Sequence, residues 1–299
     1  MKILLFGCGG QVGWELQRSL SVLGELVALD FNASANLDGL CGDFSDLAGL
    51  AQTIRAVKPD VIVNAAAHTA VDKAESEPTF ARTLNALAPG VLAAEAQALG
   101  AWLVHYSTDY VFDGSGSQAW REEDATGPLS VYGQTKLEGE QAVASCDKHL
   151  IFRTSWVYAA RGSNFAKTML RLAQERERLT IINDQFGTPT SAELIADVTA
   201  HAIRHVLQRP QDAGLYHLVA GGETNWYEYA KHVLALAKRP HTAIKIIVKE
   251  VAPVPSSAFA TAAQRPHNSR LNTGKLQNTF GLTLPAWQLG VDRMLAEIL

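Results

Sequence analysis

Tyr132 and Lys136 stand four residues apart in VYGQTK, residues 131–136. On a helix that spacing puts both side chains on one face. A phenol next to an ammonium is a proton donor with a cation to support its anion. Reduction of a ketone needs such a group, because hydride goes to carbon and a proton to oxygen. A free tyrosine, with a pKa of about 10, is a poor reversible donor near neutrality. Lowering it to about 7 takes ~4 kcal/mol of preferential support for the phenolate. A cation ~4 Å away supplies ~1 kcal/mol in water and ~4 kcal/mol at an effective dielectric of about 20. The pair therefore tunes only in a partly dry cleft. On a solvated helix it is an ordinary surface contact, so its neighbours decide.

Upstream, HYSTDY (105–110) closes an apolar strand pattern and delivers Ser107 and Thr108 to its carboxyl end. Thr108 can hydrogen-bond a substrate oxygen and position it. Near the N-terminus GCGGQVG follows a strand pattern and precedes a helical one. Its spacing is G-x-x-G-x-x-G at Gly7, Gly10 and Gly13; the stricter G-x-G-x-x-G fails at Val12. Such a turn lets backbone approach a pyrophosphate and aims a helix N-terminus at it. Asp30 ends the second strand pattern, where an acid accepts from adenosine ribose hydroxyls and disfavours a 2′-phosphate. No basic residue follows in FNASAN, so the reading leans to NADH over NADPH. Asp43 and Phe44 fall where a third strand edge meets adenine. NAAAHT (64–69) brings small residues and His68 toward the pyrophosphate and nicotinamide ribose.

These residues need a sheet edge to gather at, and the chain provides one. KILLF, ELVALD, VIVNAAA, WLVHYST and LIFRTSW alternate with helical patterns through the first 156 residues. Strand runs that are apolar throughout suit a parallel sheet covered on both faces. The fold class is α/β: a Rossmann-type, doubly wound parallel sheet with a smaller C-terminal α/β substrate lobe. The expected division is 1–160 for the dinucleotide and 161–299 mainly for substrate, with some later segments returning to the sheet. Helices are expected at about 164–177, 192–208, 226–238 and 285–298, with loops such as VAPVPSS (251–257) between. At 299 residues, 47% apolar and net charge −4, the chain has a sizeable core and no nucleic-acid or membrane footprint. Three widely spaced cysteines, Cys8, Cys41 and Cys146, form no disulfide or metal pattern and fit a reducing cytoplasm.

The glycine turn, STDYVFDG, YGQTK, FRTSWVY, DQFGTPT and RPHNSRL together resemble the extended short-chain dehydrogenases/reductases, and among them those that reduce 4-keto sugar nucleotides. The matching segments run in order from residue 7 to about 271. The resemblance implies NADH- or NADPH-dependent reduction of dTDP-4-dehydro-β-L-rhamnose at its 4-keto group, the last step of dTDP-L-rhamnose synthesis. It implies Tyr132 as proton donor, Lys136 as its partner and ribose ligand, and Thr108 as the tuning hydroxyl. Gly10, Gln11 and Val12 would meet the cofactor phosphates, Asp43 and Phe44 the adenosine, and Ala67, His68, Thr69 and Tyr106 the rest of the cofactor. Asp109 and Trp156 would touch the sugar nucleotide. Some members of the family are Mg2+-assisted homodimers, which makes Glu15, Glu193 and Glu297 candidate interface carboxylates, although each is also an ordinary solvated helix charge.

Arg265 and Arg270 suit a diphosphate, because a guanidinium fork matches phosphate oxygens. Asn164, Phe165 and Gln185 are candidate pocket residues, and the Trp226–Tyr227–Tyr229 cluster reads as core. Two other readings compete. A sugar-nucleotide dehydratase needs an acid after Thr-Asp, where this chain has Tyr110, and an epimerase is not excluded by residue type. A non-catalytic nucleotide-binding regulatory subunit would have no need of an intact Thr108, Tyr132 and Lys136.

Overall fold

The computed structural model describes residues 1–32, 39–239 and 244–299. Its central sheet has strands β1 (Lys2–Phe6), β2 (Glu25–Leu29), β3 (Val61–Asn64), β4 (Trp102–Thr108), β5 (His149–Thr154) and β6 (Gly214–His217). The main helices are α1 (Gln11–Ser21), α2 (Leu47–Val57), α3 (Ala88–Leu99), α4 (Val131–Val143), α5 (Phe165–Glu175), α6 (Ala192–Val206), α7 (Trp226–Ala237), α8 (Gly274–Phe280) and α9 (Trp287–Ile298).

Across the sheet the order is β6-β5-β4-β3-β1-β2, every pair parallel. The strand runs are apolar because both faces are covered. Residues of α1, α6 and α8 pack on one face, and residues of α2, α3 and α4 on the other. The chain leaves β1 toward β2 and returns on the other side to β3. That reversal opens the crevice in which open α/β sheets bind ligands. A second core gathers α5, α7 and α9. Segments 192–206 and 214–217 lie on the first sheet, so late sequence does return to it.

Two expectations fail here. No strand forms at Asp43–Phe44: the chain runs irregularly past the end of β2, where a Cβ on Gly42 would lie 2.3 Å from the Asp30 carbonyl oxygen. VAPVPSS is not all loop, since Glu250–Val254 pairs in parallel with Arg178–Ile182. Pro253 is tolerated there because this strand is the edge of a two-stranded pair. Between β3 and β4 the chain is helical in pieces: Val71–Ser76, Pro78–Arg82, a π-turn at Thr83–Leu87 and α3.

Candidate active site

The glycine turn forms as its spacing demands. Gly7 adopts φ +78°, and a Cβ there would come within 2.6 Å of the Ala66 amide. A Cβ on Gly13 would lie 2.0 Å from the Gly7 carbonyl oxygen, so α1 can approach β1 only without a side chain. Gly9 and Gly10 are exposed, and α1 starts at Gln11 with Gly10 as its N-cap. This bare, N-terminal cradle fits a dinucleotide phosphate. Val12 turns back against the core below. A Cβ on Gly9 would meet the Asp30 carboxylate, at 1.9 Å, so Asp30 stands over the turn. The sequence after it enters residues 33–38, outside the described residues, so most of FNASAN is untested.

Other expected cofactor residues are placed unevenly. Asp43 accepts from the amide and hydroxyl of Ser45 at 2.8 and 2.7 Å. Phe44 is buried edge-on against Phe6, so its ring belongs to the core. The Tyr106 ring is also core: it stacks on Phe152, and its hydroxyl pairs with Thr199 Oγ1 at 2.7 Å. Tyr106 offers the cleft its carbonyl instead. Ala67, His68 and exposed Thr69 follow β3. The loop is clamped by Asn85, whose Oδ1 accepts from the His68 amide at 2.8 Å and whose Nδ2 donates to the His68 carbonyl at 3.1 Å. The His68 ring packs edge-on against Phe80.

Tyr132 lies in the first turn of α4, whose N-cap Ser130 accepts from the Gly133 amide at 3.2 Å. A Cβ on Gly133 would sit 2.2 Å from the Tyr110 carbonyl oxygen, so glycine lets α4 press against the turn after β4. That contact brings Thr108 near Tyr132, close enough to lower its pKa. Thr108 Oγ1 also lies 3.1 Å from Asp109 Oδ1 and accepts from the Tyr110 amide. Burial pushes Tyr132 up to about 12; Thr108 pulls it down, and Asp109 pushes it up again. Asp109 is 2% exposed, and its Oδ2 has no partner. Burial raises it to about 6 against hydrogen bonds from Ser269 and Thr108.

Lys136 is 2% exposed, and burial brings it down to about 8. Its Nζ donates to the Tyr106 carbonyl at 2.6 Å and lies 3.4 Å from His105 Nε2. The protein alone therefore does not supply the tuning that the spacing suggested. The partly dry site is present, but the ammonium is anchored on β4 and the phenol stays weakly acidic.

Beyond Tyr110 opens a cleft of about 780 Å3, lined by Phe165, Ile181, Gln185, Trp226 and Arg265 among others. Trp226, expected in the core, lines it. Trp156 stacks on Trp226 with ring centres 3.6 Å apart and adopts φ +50°, a strained backbone for tryptophan. Arg265 grips Asp72 with two bonds, of 2.7 and 3.2 Å, and lies near Tyr110. Arg270 is committed elsewhere, to Glu223 and the Phe186 ring. Asn164 caps α5 and reaches Gln11 at 3.2 Å, tying the second lobe to the glycine turn.

Glu15, Glu193 and Glu297 share a patch: burial and then Glu193 raise Glu15, with a smaller push from Glu297. Arg18 and Arg293 already pair with Glu15 and Glu193 at 3.7 and 3.1 Å. Among the described residues no His, Cys, Asp and Glu cluster could hold a metal ion, so the patch does not fit Mg2+ within one chain. The three cysteines are free, and among the described residues no helix is long and apolar enough to cross a membrane.

A family model described as the RmlD substrate binding domain matches residues 1–299. The chain belongs to the RmlD family. It is 60% identical over 299 residues to a dTDP-4-dehydrorhamnose reductase of Shigella flexneri, covering all of this chain and 98% of that one. A second, of Escherichia coli K12, shows the same identity and coverage. Among solved structures, a dTDP-4-dehydrorhamnose reductase of Clostridium acetobutylicum superposes with TM-score 0.87 at 35% identity, covering 100% and 99% of the chains. One from Bacillus anthracis, in complex with NADP, gives 0.86 at 32%, covering 99% of each. In this RmlD-family chain, sequence reasoning passed over Asn64, Asn85 and His105, and placed Trp226 in the core. The first three are buried polar groups whose partners lie 17 to 50 residues away, which no local pattern reveals.

Proposed function

We propose that this chain reduces the 4-keto group of dTDP-4-dehydro-β-L-rhamnose with NADH or NADPH, giving dTDP-L-rhamnose, and that Tyr132 supplies the proton. The observation that carries the reading is the placement of Tyr132 and buried Lys136 on α4 beside Thr108 at the end of β4, next to Tyr110 of the cleft. The residues that would hold the dinucleotide are Gly7 to Gly13, Asp30 and the loop 65–69, with Lys136 on the ribose. When bound, the nicotinamide supplies the hydride and, once oxidised, a positive charge.

The chain's own residues do the rest. Thr108 orients the substrate oxygen and the Tyr132 hydroxyl toward each other. Tyr132 gives its proton to the oxygen that becomes the alcohol. Phe165, Trp226 and Trp156 offer apolar surface that keeps water from the cleft, and Arg265 offers the fork for a phosphate. Asp30 favours NADH over NADPH. A homodimer joined through the Glu15, Glu193 and Glu297 face would answer for that charged patch, and gel filtration with and without Mg2+ tests it.

The reading is tested by following NADH and NADPH oxidation against dTDP- and GDP-4-keto-6-deoxy sugars. Stoichiometric consumption with the dTDP substrate is expected. Turnover without net oxidation would indicate an epimerase, and no turnover on any of these sugars would indicate a binding subunit.

A further inference from the structure

We infer that Glu75 is a positioning residue for Tyr132, and that the short helix carrying it, Val71–Ser76, ties the proton donor to the substrate side of the cleft. The inference deepens the reductase reading and rests on it for the role of Tyr132.

The first amides of a helix have no carbonyl of their own helix to bond. In α4 the Ser130 hydroxyl takes the amide of Gly133, at 3.2 Å. The amide of Val131 instead donates to Glu75 Oε1 at 2.8 Å, across 56 residues of sequence. Val131 and Tyr132 are adjacent, so this bond fixes the chain one residue from the phenol. A carboxylate suits the place, since a helix N-terminus carries partial positive charge. The acidity of Tyr132 is set by burial, Thr108 and Asp109. Glu75 therefore acts on Tyr132 through position rather than through charge.

The same short helix faces the substrate side. It starts just after the 65–69 loop, and Ala74 seats it in the interior. Asp72, three residues before Glu75, accepts from the Ala263 amide at 3.1 Å. Asp72 also grips Arg265, which lines the cleft. Residues three apart on a helix are neighbours on its surface. A pull on the 263–265 segment, such as a phosphate on Arg265 would exert, therefore reaches the first turn of α4 by a short route. That route is two side chains and less than one turn of helix. Position matters there, because a displacement of ~1 Å at a reacting group can cost about 100-fold in rate.

Two variants of Glu75 separate the hydrogen bond from the charge. Glu75→Ala removes the acceptor. Glu75→Gln keeps one, because its amide oxygen can take the Val131 N–H. Glu75→Ala should lower kcat about tenfold or more, with KM for cofactor and sugar nucleotide within about twofold. Glu75→Gln should recover kcat to within about threefold of wild type. Amide hydrogen exchange at Val131 should quicken in Glu75→Ala and not in Glu75→Gln, which reads the bond without using turnover. Asp72→Ala should lower kcat on its own but no further in a Glu75→Ala background, since both act along one route.

Unchanged Val131 exchange or unchanged kcat in Glu75→Ala overturns the positioning role. A Glu75→Gln kcat as low as that of Glu75→Ala overturns it too, because charge would then be at work. Additive losses in the double variant overturn the tie to the substrate side. If the wild type turns over no 4-keto sugar, the reductase reading falls, and Val131 exchange still decides whether Glu75 holds α4.

Discussion

Tyr132→Phe removes only a hydroxyl, so it separates chemistry from binding. Turnover should fall about 100-fold or more, the range of a lost general acid. Cofactor affinity should stay within about twofold, measured by fluorescence titration, because Lys136, proposed to hold the ribose, is intact. Wild-type turnover would remove Tyr132 from the mechanism. Asp109 gives a prediction about stability. The unfolded carboxyl releases its proton near 3.8, whereas the buried one holds it to about 6. Asp109 therefore costs nothing below pH 3.8, destabilises progressively between 3.8 and about 6, and does so fully above. The full cost is ~3 kcal/mol. Asp109→Asn should be more stable than wild type at pH 7.5 by up to that amount, and the gain should shrink toward pH 4.5. A gain that does not change with pH in denaturant titrations would show that ionisation is not its cause. The types and spacing of Thr108, Tyr132 and Lys136 were legible in the sequence. Their protonation was not, because it depends on burial and on groups from other elements.

Elements were legible where their pattern was local. Residues 102–108 were expected as a strand and form one with those bounds. The breaks in the helical stretch from 71 to 99 were not, because they answer to contacts far along the chain. Its π-turn places Asn85 against the His68 peptide and against Thr135 of α4, at 3.2 Å. A Cβ on Gly139 would lie 2.0 Å from the Asn85 carbonyl oxygen, so α4 seats closely on this turn. Asn85 thus joins the 65–69 loop to α4. Asn85→Ala leaves a buried N–H and C=O unpaired, which should cost about 2 kcal/mol or more. Nicotinamide cofactor affinity should fall with it, because the 65–69 loop loses its anchor. Urea denaturation and calorimetric NADP titration measure the two effects. A loss of stability with unchanged affinity would separate the loop from the cofactor site.

At the scale of the whole molecule Arg265, which lines the cleft, links the late sequence to the helix after β3. It comes from the late sequence, yet it holds Asp72, which follows β3, with two bonds. The fold class was legible because strand and helix periods alternate. This crossing was not, since Asp72 and Arg265 lie 193 residues apart. Two roles are separable: Arg265 holds the lobes together, or it waits for a phosphate. The Asp72 side is 47% exposed, so the pair adds ~1 kcal/mol or less to folding. A charged hydrogen bond to a phosphate is worth about 1.5–3 kcal/mol, or roughly 10- to 100-fold in affinity. Arg265→Met should therefore raise KM for the sugar nucleotide in that range, with little change in unfolding free energy. Asp72→Asn keeps the guanidinium and frees it from its acid, so its KM should change much less. If both variants raise KM equally, Arg265 acts by holding the lobes together. If only Arg265→Met does, it is a phosphate ligand.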